Sequence, residues 1–263
     1  MADATISHDS PSNDPGAGRL LVGGGTRRAL LQALAGCVLA AALPASRGRA
    51  RATGPDAHSA LIIVDVQNCF VKGGTLAVPH GEEVVPVINR LAALFPVVVA
   101  TQDWHTPGHV SFASSHPGRK PYETVELAYG KQVLWPDHCV RGTEDAQLAA
   151  GLDTRGAQVV IRKGFHQDMD SYSAFIEADH RTATGLAGYL RERRVRSVYV
   201  CGLATDFCVA WTALDARKLG FATSVIEDAC RGIDLHGSLD AAWLSMGAAG
   251  VHRMRSRDIA PSA

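Results

Sequence analysis

Short apolar runs rich in β-branched residues recur along this chain at 60–66, 97–101, 157–162, 197–201, 222–226 and 251–254. Segments of helical spacing lie between most of them, at 84–95, 145–152, 185–194, 206–220 and 239–247. No other feature constrains the fold as strongly. Strands that alternate with helices are joined by right-handed crossovers, which predicts an α/β fold: a doubly wound, mainly parallel six-stranded sheet with helices on both faces. With 263 residues, 46% of them hydrophobic, the chain is long enough for one sizeable core. Lys+Arg and Asp+Glu balance at 26 each, and no basic stripe marks a nucleic-acid partner. The stretch from 103 to 139 breaks the alternation as a long irregular excursion, and such loops in compact domains are usually functional.

The first 55 residues differ in kind. Residues 1–25 are rich in Ser, Asp, Pro and Gly without periodicity, as disordered segments are. Thr26-Arg27-Arg28-Ala29-Leu30-Leu31 then leads into an apolar run that ends in small residues near Ala45. A basic flank, an apolar run and small residues make a signal peptide, and the paired arginines resemble the twin-arginine export signal. The expectation is a disordered leader at 1–55, a folded domain at 56–263, and export to the periplasm, with a cytoplasmic protein as the alternative. No membrane anchor is expected once the leader is cleaved. Of the six cysteines, five remain after Cys37 leaves with the leader, so at least one thiol stays unpaired in a monomer. No Cys-x-x-Cys pattern occurs, and a disulfide framework is not expected.

Four polar residues fall at the carboxyl ends of expected strands: Asp65, Asp103, Lys163 and Cys208. In an open doubly wound sheet that rim is where ligands bind. Gly202 breaks the fourth strand, Thr205 or Asp206 is expected to cap the next helix, and Gly220 suits its C-terminal left-handed position. Cys208 would then sit in the first helical turn, where unpaired N–H groups favour a thiolate. Asp65, Lys163 and Cys208 make a set for amide hydrolysis. The thiolate attacks the carbonyl, the carboxylate takes and returns the proton, and the lysine holds both anions. The backbone N–H groups of Cys208 and Ala204 would form the oxyanion hole. A second constellation comprises Asp103, His105, His109, His116 and His138. Its Asp-x-His unit with a later His suits a divalent metal.

These residues carry a resemblance. The segments Asp65-Val-Gln-Asn-Cys-Phe70, Gln102-Asp-Trp-His105, Ser111-Phe-Ala-Ser114, Trp135-Pro-Asp-His-Cys-Val140, Lys163-Gly, Asp170-Ser-Tyr-Ser-Ala-Phe175 and Gly202-Leu-Ala-Thr-Asp-Phe-Cys-Val209 occur in that order. Together they resemble the nicotinamidases, or pyrazinamidases, of the isochorismatase-like hydrolases. The resemblance runs from about residue 60 to the C-terminus. It implies hydrolysis of nicotinamide to nicotinate and ammonia by the triad Asp65, Lys163 and Cys208. It implies one divalent metal, zinc or iron or else manganese, on Asp103, His105 and His138. It places the pyridine ring between Phe70 and Trp135 and makes the peptide before Ala204 cis. The expected partner is the small-molecule substrate, with a homo-oligomer allowed.

Two features depart from the pattern. Cys69 stands where relatives usually carry an acidic residue, and the sequence assigns it no role. The export leader is unexpected for an activity that is normally cytosolic. An amidase for another small carboxamide and a non-catalytic exported metal-binding protein are the competing readings. The second leaves Lys163 and Cys208 without a purpose.

Overall fold

The computed structural model describes residues 54–259. The twin-arginine motif, the cleavage region and Cys37 lie outside the described residues. Among the described residues, no helix is long and apolar enough to cross a membrane.

Eight strands and four helices build the domain. In chain order they are β1 (Ser59–Val64), α1 (Val84–Ala92), β2 (Val97–Asp103), β3 (Thr124–Leu127), β4 (Gly130–Val133) and β5 (Val159–Lys163), followed by α2 (Leu186–Glu192), β6 (Ser197–Leu203), α3 (Ala210–Lys218), β7 (Ala222–Arg231), α4 (Ser238–Ala248) and β8 (His252–Met254). Six strands form one sheet in the order β5-β2-β1-β6-β7-β8, and every neighbouring pair is parallel. Every residue of β1 and β2 is buried, as happens only when both faces of a sheet are covered. The apolar spacing of α1 is used as read: Val84, Ile88 and Leu91 face inward. The chain runs outward from β1 to β2 and later to β5, then crosses from β5 to β6 on the other side of β1. The strand order reverses there, and the carboxyl ends of β1 and β6 open a crevice.

The structure corrects four sequence expectations. The segment 145–152 is a series of turns rather than a helix. Within the long excursion, β3 and β4 pair as an antiparallel hairpin. β7 runs past Ile226 to Arg231, with a register irregularity opposite Val200 and Gly202 that carries it over the strand end first expected. Cys69 and Cys139 form a disulfide across 70 residues of chain, leaving Cys201, Cys208 and Cys230 free.

Candidate active site

β1 and β6 converge at their carboxyl ends. At Gly202 (φ 118°) a Cβ would lie 2.1 Å from the Val64 carbonyl oxygen, so only glycine lets the strands close this far. Just beyond, the chain turns through Asp65 in the left-handed region (φ 46°) and the carboxylate enters the crevice. The Thr101 hydroxyl holds it, donating to Oδ1 at 2.5 Å while accepting the Asp65 N–H at 3.1 Å. Asp103 and Lys163 are register partners at the ends of β2 and β5.

Lys163 is fully buried and organises the centre. Its ammonium donates to Asp103 Oδ1, to the Ser171 carbonyl at 2.9 Å and to Cys208 Sγ at 3.4 Å. Three N–H groups thus have three acceptors. Asp65 Oδ2 lies 2.8 Å from Nζ as an ion pair but accepts no aligned hydrogen bond, so this oxygen remains open to a proton from the neighbouring thiol. Oxygens of Asp65 and Asp103 and the sulfur of Cys208 lie close enough to hold an ion, but Lys163 already supplies the positive charge there.

Thr205–Val209 forms a wide first helical turn that runs straight into α3, so Cys208 stands in the opening turn of the helix that follows β6, as the sequence predicts. Neither Thr205 nor Asp206 caps that helix. The Asp206 carboxylate instead accepts from Ile233 N–H, Asp234 N–H and the Ser238 hydroxyl, tying the nucleophile's turn to the segment before α4. Gly220 does take the left-handed position after α3 (φ 92°). The peptide between Leu203 and Ala204 is cis, as the resemblance implies.

Electrostatics revise the expectation of a resting thiolate. Burial pushes the Cys208 thiol well above its usual range, and the opposing pull of Lys163 does not offset it. Burial also raises Asp65, to about 6, with Asp103 adding repulsion and Lys163 working against both. Asp103 behaves oppositely: burial raises it, but Lys163, His105 and His138 outweigh that and hold it below the carboxylate range. Cys208 is therefore a thiol at rest, with the Asp65 carboxylate beside it.

On the far side of Asp103, the two imidazoles turn Nε2 toward its second oxygen, at 3.6 Å for His105 and 3.8 Å for His138. Both separations are too long for good hydrogen bonds. They approach the roughly 3.0–3.4 Å between ligands that each stand about 2.1 Å from one ion. The remaining nitrogens donate to backbone carbonyls: His105 Nδ1 to Gly164 at 2.9 Å and His138 Nδ1 to Pro136 at 2.8 Å. This is the support that fixes a ligating histidine. Gly164 is required, since a Cβ there would meet the His105 ring at 2.6 Å. Burial holds His138 down at about 4, so it is neutral at neutral pH as a ligand must be. These three residues fit a divalent cation. His109 does not join them, because Ser111 and Met169 engage its nitrogens, and His116 donates to the Val110 carbonyl.

Between the two centres lies a narrow cavity of about 20 Å³. Phe70, Trp135, Tyr172 and Phe207 give it aromatic walls, while Asp103, His138 and Cys208 supply polar lining. Trp135 and Phe207 meet edge to face at 4.8 Å, and the Trp135 indole N–H donates to the Tyr172 hydroxyl at 3.0 Å. The sequence reading named Phe70 and Trp135 and missed Tyr172 and Phe207, although both stand inside the quoted motifs. It also missed Thr101 and Gln67. The Gln67 carboxamide accepts the Asp103 N–H at 2.8 Å and donates to the Asp103 carbonyl at 2.9 Å. A buried glutamine two residues from Asp65 was the available signal.

Comparison with known proteins agrees with this geometry. Residues 59–258 match the isochorismatase domain. The nicotinamidase of Acinetobacter baylyi is 58% identical over 202 residues, covering 77% of this chain and 94% of that protein. A solved nicotinamidase and pyrazinamidase from Acinetobacter baumanii superposes with a TM-score of 0.77 at 60% identity, covering 78% of this chain and 99% of that one. The pyrazinamidase of Pyrococcus horikoshii, solved in complex with zinc, gives a TM-score of 0.62 at 35% identity, covering 75% and 99%. The chain belongs to the isochorismatase domain family.

Proposed function

From that membership we propose that the chain is a nicotinamidase, a cysteine amidohydrolase that converts nicotinamide to nicotinate and ammonia and accepts pyrazinamide in the same way. The observation that carries this reading is Cys208, which lines the aromatic pocket with Lys163 Nζ 3.4 Å from its sulfur, while the same ammonium lies 2.8 Å from the open oxygen of Asp65. The flat walls suit a pyridine ring, and two of the three candidate ligands, Asp103 and His138, line the same pocket.

Cys208 Sγ attacks the carboxamide carbon as its proton passes to Asp65 Oδ2. The backbone N–H groups of Ala204 and Cys208 hold the oxygen of the tetrahedral adduct. Asp65 then returns the proton to the nitrogen, ammonia leaves, and a thioester remains on Cys208. Asp65 takes a proton from the incoming water, the thioester carbon gains the hydroxyl, and the thiolate leaves and recovers the proton. Lys163 keeps carboxylate and sulfur in register throughout. Asp103, His105 and His138 would hold a divalent ion, which when bound would supply a Lewis-acid site beside the pocket. The zinc complex of the Pyrococcus horikoshii relative supports zinc, with iron and manganese as the other candidates.

The leader motif supports export through the twin-arginine route, and the disulfide is of a kind that persists in oxidising compartments. Arg27→Lys with Arg28→Lys should leave active, uncleaved enzyme in the cytoplasm, whereas the exported protein should begin near Ser46. Wild-type enzyme found only in the cytosol with its leader attached would overturn export.

Ammonia release from a panel of carboxamides tests the activity. Nicotinamide and pyrazinamide should lead the panel. Equal turnover of an aliphatic amide of similar size would favour a broader amidase, and no release from any amide would leave only metal binding.

A further inference from the structure

The disulfide joins two loops at the positions next to site residues. Cys69 immediately precedes Phe70, a pocket wall, and Cys139 immediately follows His138, a candidate metal ligand. Both cysteines are completely buried, with Cα atoms 5.6 Å apart. The rings of Phe70 and His138 lie 5.5 Å apart between centroids, tilted by 60°.

Backbone contacts extend the junction. The Cys139 carbonyl accepts the His105 N–H at 3.1 Å, which ties the second candidate ligand to the same point. Asp145 serves both loops: its carbonyl accepts the Cys69 N–H at 2.8 Å, and its carboxylate accepts the Cys139 N–H at 3.0 Å. The three candidate ligands are not equally secured. Asp103 ends β2, whereas His105 and His138 both lie outside the strands and helices, His105 bridging to Val140 beside Cys139. The sheet therefore fixes one ligand, and loop contacts must fix the other two.

We propose that the Cys69–Cys139 disulfide is a positioning element of the metal site, holding His138 and Phe70 at the separation that the ion and the ring require. The role rests on the ligand set given above. It leaves the nucleophile untouched, since Cys208 is free and linked to neither sulfur. It also gives Cys69 a purpose that the sequence alone does not reveal.

Non-reducing peptide mapping of the full chain from export-competent cells should recover a cross-linked peptide containing Cys69 and Cys139, with Cys201, Cys208 and Cys230 alkylated. Absence of that peptide overturns the proposal. Cys69→Ala, Cys139→Ala and the double variant are then loaded with zinc, and zinc release to a chromogenic chelator is timed well below their unfolding temperatures. Release should quicken about 10–100-fold, the range for losing a ligand's outer support. It should quicken equally in all three variants, because one bond is being removed. In zinc-saturated buffer the nicotinamide KM should rise while kcat stays within about twofold of the parent. Release as slow as the parent's, or effects that add in the double variant, would show local packing instead. Reduction of the native chain with a phosphine gives the same measurement without mutation: the phosphine takes oxygen from water, and the two sulfurs take its protons. Unchanged release after reduction likewise overturns the role. A His138→Ala chain that keeps its zinc would overturn the ligand set itself, a failure distinct from any seen with the cysteine variants.

Discussion

The two halves of the site are built in different ways. Asp65, Lys163 and Cys208 sit on or just past the ends of β1, β5 and β6, where parallel register sets their separations. The half containing Trp135, His138 and Tyr172 hangs on turns, a two-stranded hairpin, a disulfide and a chain of side-chain hydrogen bonds. Under the proposed mechanism, a triad anchored in the sheet would keep its geometry through the proton transfers. A loop-built pocket and metal site can be reshaped for another ring without disturbing the chemistry, consistent with loops on a rigid scaffold carrying specificity.

Substitutions should separate the halves, and the deepest effect belongs to the triad. Cys208→Ala should lower kcat by at least about 10⁴-fold with metal content unchanged, as expected for loss of a nucleophile; rapid turnover by that variant would refute the covalent route. Asp65→Asn should follow at about 10²–10⁴-fold, the usual worth of a general base, again with metal retained. His138→Ala crosses to the other half: metal affinity should fall more than about a hundredfold, beyond the range for outer-shell partners, while the circular dichroism spectrum is preserved. If Asp65→Asn also lost its metal, the two halves would be one unit.

The next effect is set by pH. Only ionised Asp65 accepts the thiol proton, and burial raises its pKa to about 6. The catalytic form is therefore lost as pH falls through that value. kcat/KM should drop about tenfold for each pH unit below it, and a flat profile down to pH 4 would remove Asp65 as the base. The smallest change lies in the pocket. Trp135→Leu should weaken the pyridine substrate by about 0.5–1.5 kcal/mol, or roughly 2–13-fold in KM, and should spare an aliphatic amide.

Legibility from sequence follows the same division. Strand ends are local events: an apolar run stops, a charged residue appears, and the rim position follows from topology. That is why Asp65, Asp103, Lys163 and Cys208 could be read directly. The choice of Asp103, His105 and His138 among the candidate ligands, and the cis peptide, rest on motif resemblance, which carries three-dimensional information that spacing does not. The Cys69–Cys139 pair and the hairpin at 124–133 depend on contacts distant in sequence or on short strands with weak patterning. The resting charge of Cys208 was misread because a favourable helix end was weighed without the burial that opposes it.

The three acceptors around Lys163 have a consequence for charge inventory. With the thiol neutral, the buried cluster holds one cation and two carboxylates, a total of minus one. Moving the proton from Cys208 to Asp65 relocates a negative charge within the 4.8 Å that the cluster's ligand atoms span and changes that total by nothing. No counterion must enter and no water shell must be rebuilt when the sulfur becomes reactive. The several kcal/mol that each buried ion typically costs is met once, when the chain folds, and is not met again at each turnover.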